Sequence, residues 1–278
     1  MSAESSAPSW GAAFRMAASR KWRRQSSAMG SSVTQAIVML AAAQPGMQVL
    51  DLACGTGEPA ISLGSEVGAQ GRVVGIDVNA QLLEIARERA ALRNRSQICF
   101  QQADAHALPF ADGSFDLVTS RFGVMFFEDI GRALSEARRV LRPHGRIALL
   151  AWGPFEQPYF LSTMAVVLRH VPGPALPPAA RNMFRFSGSG SLGSALRATA
   201  FTQIVERAAT LPWTWPGTPE QLWDYFREVT VPFRPLLASI PPDQTEHVDA
   251  EVIASVGRFF DGHQVNFTVD VVLASASK

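Results

Sequence analysis

The sequence predicts an α/β fold in which helices cover both faces of a mainly parallel sheet. Over residues 47–152, short apolar segments alternate with patterns of helical period. Two of these segments end in an acid, and the first runs directly into a glycine-rich turn. Hydrophobic residues make up 47% of the 278-residue chain and charged residues 18%, which is enough for a packed core. These observations together favour βαβ units over an all-helical or all-β chain.

Five strands are predicted before residue 153, with helices between them. The predicted strands are residues 49–52, 73–76, 96–101, 115–119 and 146–152. Asn79 is a suitable N-cap for the helix after the second strand. The helix before the fifth strand carries Leu134 and Ala137 at helical spacing, and Pro143 and Gly145 stop it.

The chain is predicted to have three parts. Residues 1–45 form an N-terminal helical lid, residues 46–153 the ligand-binding core, and residues 154–278 the remaining strands with an inserted helical cap. Within the third part, the predicted elements are a helix at 160–171, a strand at 202–209, a mostly helical stretch at 213–260 and a final strand at 265–273.

Charge and composition exclude several classes of partner. A net charge of +1 excludes nucleic-acid binding by bulk electrostatics. The longest apolar run, residues 36–43, is much shorter than the roughly 20 residues of a membrane span. Cys54 and Cys99 supply neither a disulfide framework nor a metal cluster, so no metal is expected. We therefore expect a cytoplasmic protein with a small-molecule substrate and no nucleic-acid or integral membrane contact, and the oligomeric state stays open between monomer and homodimer.

The turn after the first strand reads DLACGTGEPA, residues 51–60. Glycines let the backbone approach a ligand closely, and the following helix begins with free N–H groups. The spacing of Gly55, Gly57 and Ala60 also fits a dinucleotide fingerprint, so a nicotinamide-dependent oxidoreductase is one alternative. Asp51, however, favours a ligand with an ammonium group over a pyrophosphate. S-adenosylmethionine has an amino-acid end and no phosphate.

Two further acids follow the next two predicted strands. Asp77 ends the second strand, where a carboxylate can accept hydrogen bonds from both ribose hydroxyls. Asp104 follows the third strand and can accept from an adenine amino group. Together with Asp51, these acids are expected to line the crevice where open α/β sheets bind their ligands.

Four segments carry a resemblance to a known family. They are VLDLACGTGEPA (49–60), VVGIDVNAQLLEIAR (73–87), ADAHALPFADGSFDLVTSRFGVMFF (103–127) and LRPHGRIALLAW (141–152). The chain resembles class I S-adenosylmethionine-dependent methyltransferases, most of all the ubiquinone/menaquinone C-methyltransferase-like group. The resemblance implies a Rossmann-like, seven-stranded, mostly parallel sheet whose last strand runs antiparallel. It also implies S-adenosylmethionine as cofactor and S-adenosylhomocysteine as product.

The resemblance further implies which residues hold the cofactor. The backbone of the glycine loop would meet the methionine end, with the residues after the fourth strand beside it. Asp77 would hold the ribose, and residues that follow the second and third strands would contact adenine. The predicted cofactor-binding residues are Asp51, Ala53, Gly55, Thr56, Gly57, Asp77, Val78, Asp104, Ala105, Arg121 and Phe122.

The acceptor pocket is expected to come from the lid and the cap, which hold most of the tryptophans. Aromatic and methionine walls suit an apolar, aromatic or polyketide-like molecule. The predicted substrate-binding residues are Trp22, Met29, Met125, Trp152 and Trp223. Trp213 and Trp215 are also assigned to the helical cap. The tyrosine-rich N-terminal signature usual in quinone-pathway members is missing, so the acceptor and the choice of carbon or oxygen stay open.

Methyl transfer from a sulfonium needs alignment and exclusion of water, and a base only where the acceptor must lose a proton. No catalytic residue is assigned. His170, His247 and His263 are weak candidates because they fall in the variable additions, whereas His144 lies at the wrong edge of the sheet and His106 near the adenine site.

The leading hypothesis is a small-molecule methyltransferase. The alternative is a protein of the same fold that binds the cofactor but catalyses a step without methylation, such as a cyclisation, or serves a regulatory role. A turn at residues 157–160, reading QPYF, resembles the Pro-aromatic turn of amino-group methylases. That turn normally follows the fourth strand, so no role is assigned to it here.

Overall fold

The computed structural model describes residues 20–93, 96–173 and 176–278. Its strands are β1 (Gln48–Leu52), β2 (Arg72–Asp77), β3 (Ile98–Gln102), β4 (Phe115–Arg121), β5 (Leu141–Trp152), β6 (Thr202–Trp215) and β7 (Val265–Ser277). They form one sheet in the order β3-β2-β1-β4-β5-β7-β6. The first five run parallel, and β7 is antiparallel to both of its neighbours. The predicted fold class, including the antiparallel last strand, is confirmed.

Helices cover both faces of this sheet. They are α1 (Arg23–Met29), α2 (Ser31–Ala41), α3 (Ala60–Val67), α4 (Ala80–Ala91), α5 (Ile130–Val140), α6 (Pro158–Leu161), α7 (Met164–Leu168), α8 (Pro178–Asn182), α9 (Ser191–Ala198), α10 (Pro219–Val229), α11 (Arg234–Ala238) and α12 (Thr245–Gly257). Single 3-10 turns lie at Val124–Phe126, Val231–Phe233 and Pro242–Gln244. In the described residues no helix is both long and apolar enough to cross a membrane. Residues 1–19 of the predicted lid lie outside the described part of the chain.

Local sequence explains the helix starts that frame the site. The Asn79 side chain accepts hydrogen bonds from the backbone of Gln81 and Leu82, as its predicted role as N-cap of α4 requires. The Asp129 side chain caps α5 in the same way by accepting from the Arg132 N–H. Both caps fix the chain direction directly after it leaves the carboxyl side of the sheet.

The structure corrects the prediction for Trp213 and Trp215, which were assigned to a helical cap. β6 continues to Trp215, where it pairs with Val265 of β7, and Trp213 pairs with Phe267. The segment Trp-Thr-Trp alternates with a period of two, which agrees with a strand but is too short to specify one, and its pairing with β7 fixes it as a strand. Both indoles therefore lie on one face of the sheet.

The carboxyl ends of β1 and β4 mark the point where the chain connections diverge. β1 leads towards β2 and β3, whereas β4 leads towards β5, so a crevice opens between them. The residues just after these strands, Ala53 and Phe122, have φ angles of 52° and 57°. Non-glycine residues in this left-handed region store strain, which is most often found at functional sites.

Candidate functional site

A cavity of about 590 Å³ lies at this crevice, beneath α1 and α2. Its wall combines the lid helices, the loop after β1, the ends of β4, β5 and β6, and part of the inserted cap. Residues on the wall that matter below are Thr56, Arg121, Phe122, Trp152, Tyr159 and Trp213. The predicted lid and cap therefore both contribute to the same cavity as the sheet core.

The two glycines of the loop after β1 have different environments. A Cβ built on Gly55 (φ +54°) would meet no atom within 4 Å, so this side of the loop faces open space. A Cβ on Gly57 (φ +105°) would lie 2.7 Å from the Ile61 Cδ1 atom and 3.2 Å from the Ala86 Cβ atom. The Gly57 N–H also donates internally to the Cys54 carbonyl. Gly55 is thus open to a ligand, whereas Gly57, predicted to contact one, is needed for packing of the loop against α3 and α4.

Asp51 is fully buried beneath the glycine loop, and its predicted contact with a ligand stays untested. One carboxylate oxygen accepts from the Thr119 Oγ1 hydroxyl at 2.8 Å, and the other accepts from the Ala60 N–H at 3.1 Å. Burial raises the pKa of Asp51 to about 7, although these two hydrogen bonds oppose the rise. The side chain joins the start of α3 to β4 and so holds the glycine loop in place from below.

Asp77 holds the same loop from the side. Its Oδ2 atom accepts from the Gly55 N–H at 3.0 Å, and its Oδ1 atom accepts from the Asn79 N–H at 2.8 Å. The next side chain, Val78, is 65% exposed. Asp77 and Val78 therefore present a carboxylate and an apolar surface side by side.

Asp104 and Ala105 follow β3, the neighbour of β2. The Asp104 Oδ1 atom accepts from the His106 N–H at 2.9 Å and lies 2.6 Å from the His106 Nδ1 atom. Partial burial raises the pKa of Asp104, but these contacts with His106 outweigh it and leave the pKa below its usual value. Ala105 is buried. By the sheet order these residues lie further along the same edge, outside the wall of the cavity.

Arg121, at the end of β4, faces the cavity with part of its donor capacity unused. Its Nη1 atom donates to the Thr34 Oγ1 atom of α2 at 2.9 Å, while its Nε atom is shielded from solvent and has no partner. Burial lowers the pKa of Arg121, opposed by the charges of Glu58 and Asp51. A buried, unpartnered guanidinium N–H favours binding of an anionic or strongly polar group.

Arg89 is a site residue that the sequence analysis missed. Its Nη1 atom donates to both the carbonyl and the hydroxyl of Thr56, at 2.8 and 2.9 Å, and its Nη2 atom donates to the Ser27 Oγ atom of α1. Glu58 pairs with Arg89 at 3.6 Å and with Arg93 at 3.1 Å. Arg89 thus links the lid to the glycine loop. The available signal was an arginine placed one turn after Ile85, on the buried face of α4.

Aromatic side chains form the opposite wall of the cavity. Phe122 stacks on Trp152 with ring centroids 4.1 Å apart and planes inclined by 15°. Trp152 also meets Phe160 and Trp213 edge to face, at 5.2 and 5.4 Å. The Trp213 Nε1 atom is buried, and in the part of the chain that the structure describes no partner meets it with good hydrogen-bond geometry. Such a wall suits a flat apolar ring with at least one hydrogen-bond acceptor.

The predicted substrate residues divide into two groups. Met29 and Trp152 lie on the cavity wall, whereas Trp22, Met125 and Trp223 do not. Trp22 and Trp223 are buried among helices and donate their indole N–H groups to carboxylates, at 2.6 Å in each case. Met125 is 1% exposed in the hydrophobic core. The role predicted for these three stays untested, and their positions show that large apolar residues in short helices pack the core as readily as they line a pocket.

Residues that received no role also line the cavity. Tyr159 and Phe160 belong to the turn at 157–160, which the sequence analysis treated as coincidence. Tyr159 packs against Trp213, with ring centroids 5.8 Å apart, and burial raises the pKa of its hydroxyl above the usual value. The turn lies close to the crevice because β5, although one strand beyond β4, ends beside it.

The three histidines named as weak catalytic candidates lie away from the cavity, and their predicted role stays untested. His170, His247 and His263 do not line the cavity. His263 lies in an exposed turn whose Asp261 side chain accepts from its N–H, and His170 contacts Glu251 on the cap. Among the described residues, neither a histidine nor a cysteine lines the cavity, and Glu58 is the only acid on its wall. The site is therefore built for binding and alignment more than for proton abstraction by a free base.

Comparison with known proteins identifies related sequences. The profile of the "ubiE/COQ5 methyltransferase family" matches residues 27–171. A 2-phytyl-1,4-naphtoquinone methyltransferase of Trichormus variabilis is 43% identical over 109 residues, which are 39% of this chain and 48% of that protein. A demethylmenaquinone methyltransferase of Lactobacillus johnsonii is 41% identical over 102 residues, 36% of this chain and 42% of that protein. The chain thus spans about half the length of the curated relatives it matches.

Solved structures extend the similarity of fold to most of the chain. The YcgJ protein of Bacillus subtilis superposes with a TM-score of 0.57 at 21% identity, covering 88% of this chain and 97% of that one. The [4+2]-cyclase SpnF superposes with a TM-score of 0.53 at 20% identity, covering 88% and 79%. At these identities the likeness concerns the fold alone. Together with the sequence match, it places the glycine loop and the crevice in the part of the chain shared with the relatives.

Proposed function

Because the chain belongs to the ubiE/COQ5 methyltransferase family, we propose that it is an S-adenosylmethionine-dependent methyltransferase acting on a quinol-like or phenolic aromatic molecule. The observation that carries this proposal is the cavity, whose polar wall adjoins the glycine loop and whose other wall is aromatic. The two relatives named above are methyltransferases of a phytyl-naphthoquinone and of demethylmenaquinone, which are flat rings with paired oxygens. Carbon and oxygen are both possible sites of methylation.

The residues present fit the proposed cofactor. Gly55 leaves room for close approach, and the Arg121 Nε atom is a buried donor without a partner, suited to a carboxylate. Asp77 offers carboxylate oxygens to ribose hydroxyls, and exposed Val78 offers an apolar surface to adenine. We assign the methionine end to the crevice and the adenosine end to the edge formed by β2 and β3, with Asp104 near adenine.

The acceptor is assigned to the aromatic wall. Phe122, Trp152 and Trp213 would enclose a flat ring, and the lid helices would exclude water from it. Among the described residues, four arginines line the cavity against one acid, Glu58, which is itself paired with Arg89 and Arg93. This positive field lowers the pKa of a bound phenol or quinol, because it stabilises the anion. The acceptor can therefore reach its reactive, deprotonated form without a dedicated base.

When bound, the cofactor supplies a methyl group already activated by a sulfonium. The chain's own residues then act by alignment, since an in-line displacement depends on the distance and angle between donor and acceptor. Phe122 is central to this alignment, because its strained φ of 57° and its stacking on Trp152 fix the ring between the two halves of the cavity. The proton of the acceptor leaves to solvent through the arginine-lined side.

The test measures formation of S-adenosylhomocysteine with reduced naphthoquinols and simple phenols as acceptors. We expect turnover with at least one reduced naphthoquinol. The variant Trp152→Leu should lower kcat/KM for the acceptor at least tenfold while cofactor affinity stays within about twofold. The matched control Phe259→Leu, which replaces a half-buried ring outside the cavity, should change neither value.

Other outcomes would decide against the proposal. Micromolar cofactor binding without turnover on any aromatic acceptor would favour the alternative in which the fold binds the cofactor for a step other than methylation. Absence of cofactor binding by the folded protein would contradict the site assignments themselves. Turnover that Trp152→Leu leaves unchanged would place the acceptor elsewhere.

A further inference from the structure

Two histidines and a glutamate meet on the inserted cap, at a place that the proposed function does not use. His247 and Glu251 are four residues apart on α12, so they lie one turn apart on the same face. His170 comes from the segment directly after α7, which packs against α12. One nitrogen or oxygen atom from each of the three lies within 4.8 Å of the others. None of the three lines the cavity.

These donors have the chemistry of a transition-metal site. Two imidazoles and one carboxylate suit Zn²⁺ and related ions, with bonds of about 2.0–2.2 Å, so donor atoms in a tetrahedral site lie roughly 3.4 Å apart. The His170 Nε2 atom is already 2.5 Å from the Glu251 Oε2 atom. The imidazole rings are 5.5 Å apart and inclined by 81°, so they can direct nitrogens at one point without stacking.

The three side chains differ in their exposure to solvent, so an ion can reach the cluster from its exposed side. His170 and Glu251 are half-buried, whereas His247 is exposed. His170 and Glu251 are thus held in place by their surroundings, and the freer His247 can rotate to close the site. We propose that His170, His247 and Glu251 bind a divalent transition metal of the zinc type, with water completing the coordination.

Arg169 competes for this site. Its guanidinium forms an ion pair with Glu251, next to the contact between Glu251 and His170. Binding of a cation weakens this ion pair, because the metal and the guanidinium then share one carboxylate, and His170 would bind the metal through a nitrogen lone pair. The metal then joins α12 to the segment after α7, so it ties together two parts of the cap that are distant in the chain.

The test uses the full-length protein, first treated with a chelator and then titrated with Zn²⁺ in competition with a chromophoric chelator. We expect one equivalent to bind. His247→Ala and Glu251→Gln should each weaken binding at least tenfold. His263→Ala, which removes an exposed histidine elsewhere, is the matched control and should bind as the unaltered chain does. Titration with Co²⁺ should give a spectrum without a thiolate charge-transfer band, since Cys54 and Cys99 take no part.

Arg169→Gln separates a metal site from a simple ion-pair network. In the proposed site this variant binds Zn²⁺ several-fold more tightly, because the competing cation is gone. Zn²⁺ should also raise the thermal midpoint of the unaltered protein and leave that of Glu251→Gln unchanged. A cooperative thermal transition of Glu251→Gln in the same experiment shows that this variant is folded. The proposal is overturned if no stoichiometric Zn²⁺ binds, if His247→Ala and Glu251→Gln retain it, or if Arg169→Gln does not tighten binding.

Discussion

Asp51 has two properties that a sequence motif does not separate, a position beside the ligand crevice and complete burial. Its hydrogen bonds from Thr119 and Ala60 hold the glycine loop, but they do not fully offset the cost of enclosing a charge. Its pKa therefore lies at about 7 in the folded protein, against 3.8 in the unfolded chain. The native state binds a proton that the unfolded state has released between these values.

This difference predicts a pH dependence of stability. The contribution of Asp51 is fully present below pH 4 and is lost as the pH rises through about 7, amounting to at most about 4 kcal/mol. In the variant Asp51→Asn, the free energy of unfolding should not decrease in this way as the pH rises, because the side chain does not titrate. Denaturant titrations from pH 4.5 to 8 measure the difference between variant and unaltered protein. Asp243→Asn removes an exposed carboxylate and is the control. Parallel pH profiles of stability for all three proteins would contradict the raised pKa of Asp51.

The two loop glycines allow a matched comparison of ligand contact and packing. Gly55→Ala adds a methyl group to open space, so we expect a loss of about 1–2 kcal/mol of stability from the positive φ alone. Gly57→Ala meets Ile61 and Ala86 as well, and should lose about 2–4 kcal/mol. Titration with S-adenosylhomocysteine should show weaker binding by Gly55→Ala at least tenfold. Equal binding by this variant and the unaltered protein would show that the ligand does not approach Gly55.

At the scale of secondary-structure elements, the link between the lid and the core depends on α4. Arg89 joins Thr56 of the loop to Ser27 of α1, and it is more buried than Arg93, which pairs with Glu58 at the surface. Burial lowers the pKa of Arg89, opposed by Glu58. A buried guanidinium that joins three elements contributes more than an exposed ion pair.

Arg89→Gln and Arg93→Gln test this difference. We expect Arg89→Gln to lower the free energy of unfolding by about 1.5–3 kcal/mol and to weaken cofactor binding about tenfold, because the loop loses its anchor. Arg93→Gln should cost less than about 1 kcal/mol and leave binding nearly unchanged. Thermal unfolding and titration with S-adenosylhomocysteine give both quantities. A larger effect at Arg93 would reverse the assignment of the anchor.

The elements also show why prediction from the sequence stops where it does. β1 is an apolar run with Asp51 next to its last residue, and β2 is an apolar run that ends in Asp77. Because α4 also has an N-cap, local chemistry alone predicts these three elements. Trp213 and Trp215 were misplaced because a single Trp-Thr-Trp repeat is too short to distinguish a strand from a helix start. Tyr159 received no role because its position near the crevice depends on the order of strands in the sheet. A local sequence pattern does not specify that order.

At the scale of the whole molecule, the sequence predicts the sheet core better than the cavity. The core is specified by periodicity and caps within each βαβ unit. The cavity is lined by residues from the lid, β4, β5 and β6, which are far apart in the chain. Which residues line it therefore depends on long-range packing. Trp22 and Trp223 illustrate this, because their indoles are held by Glu228 and Asp249 on other helices.

A ligand that contacts the lid, the glycine loop and the sheet at once should raise the stability of the whole chain. S-adenosylhomocysteine should bind the folded chain alone, so at 100 times its Kd it adds about 2.7 kcal/mol to the free energy of unfolding. For a chain of this size that corresponds to a rise in Tm of roughly 4–6 °C. NAD at the same concentration should leave Tm unchanged, because the Gly55 N–H already donates to the Asp77 carboxylate and a pyrophosphate at the loop would lie against that carboxylate. The Arg121→Gln variant should lose most of the rise while Arg146→Gln, an arginine at the opposite end of the sheet, keeps it. A rise with NAD instead would assign the glycine loop to dinucleotide binding and contradict the methyltransferase proposal.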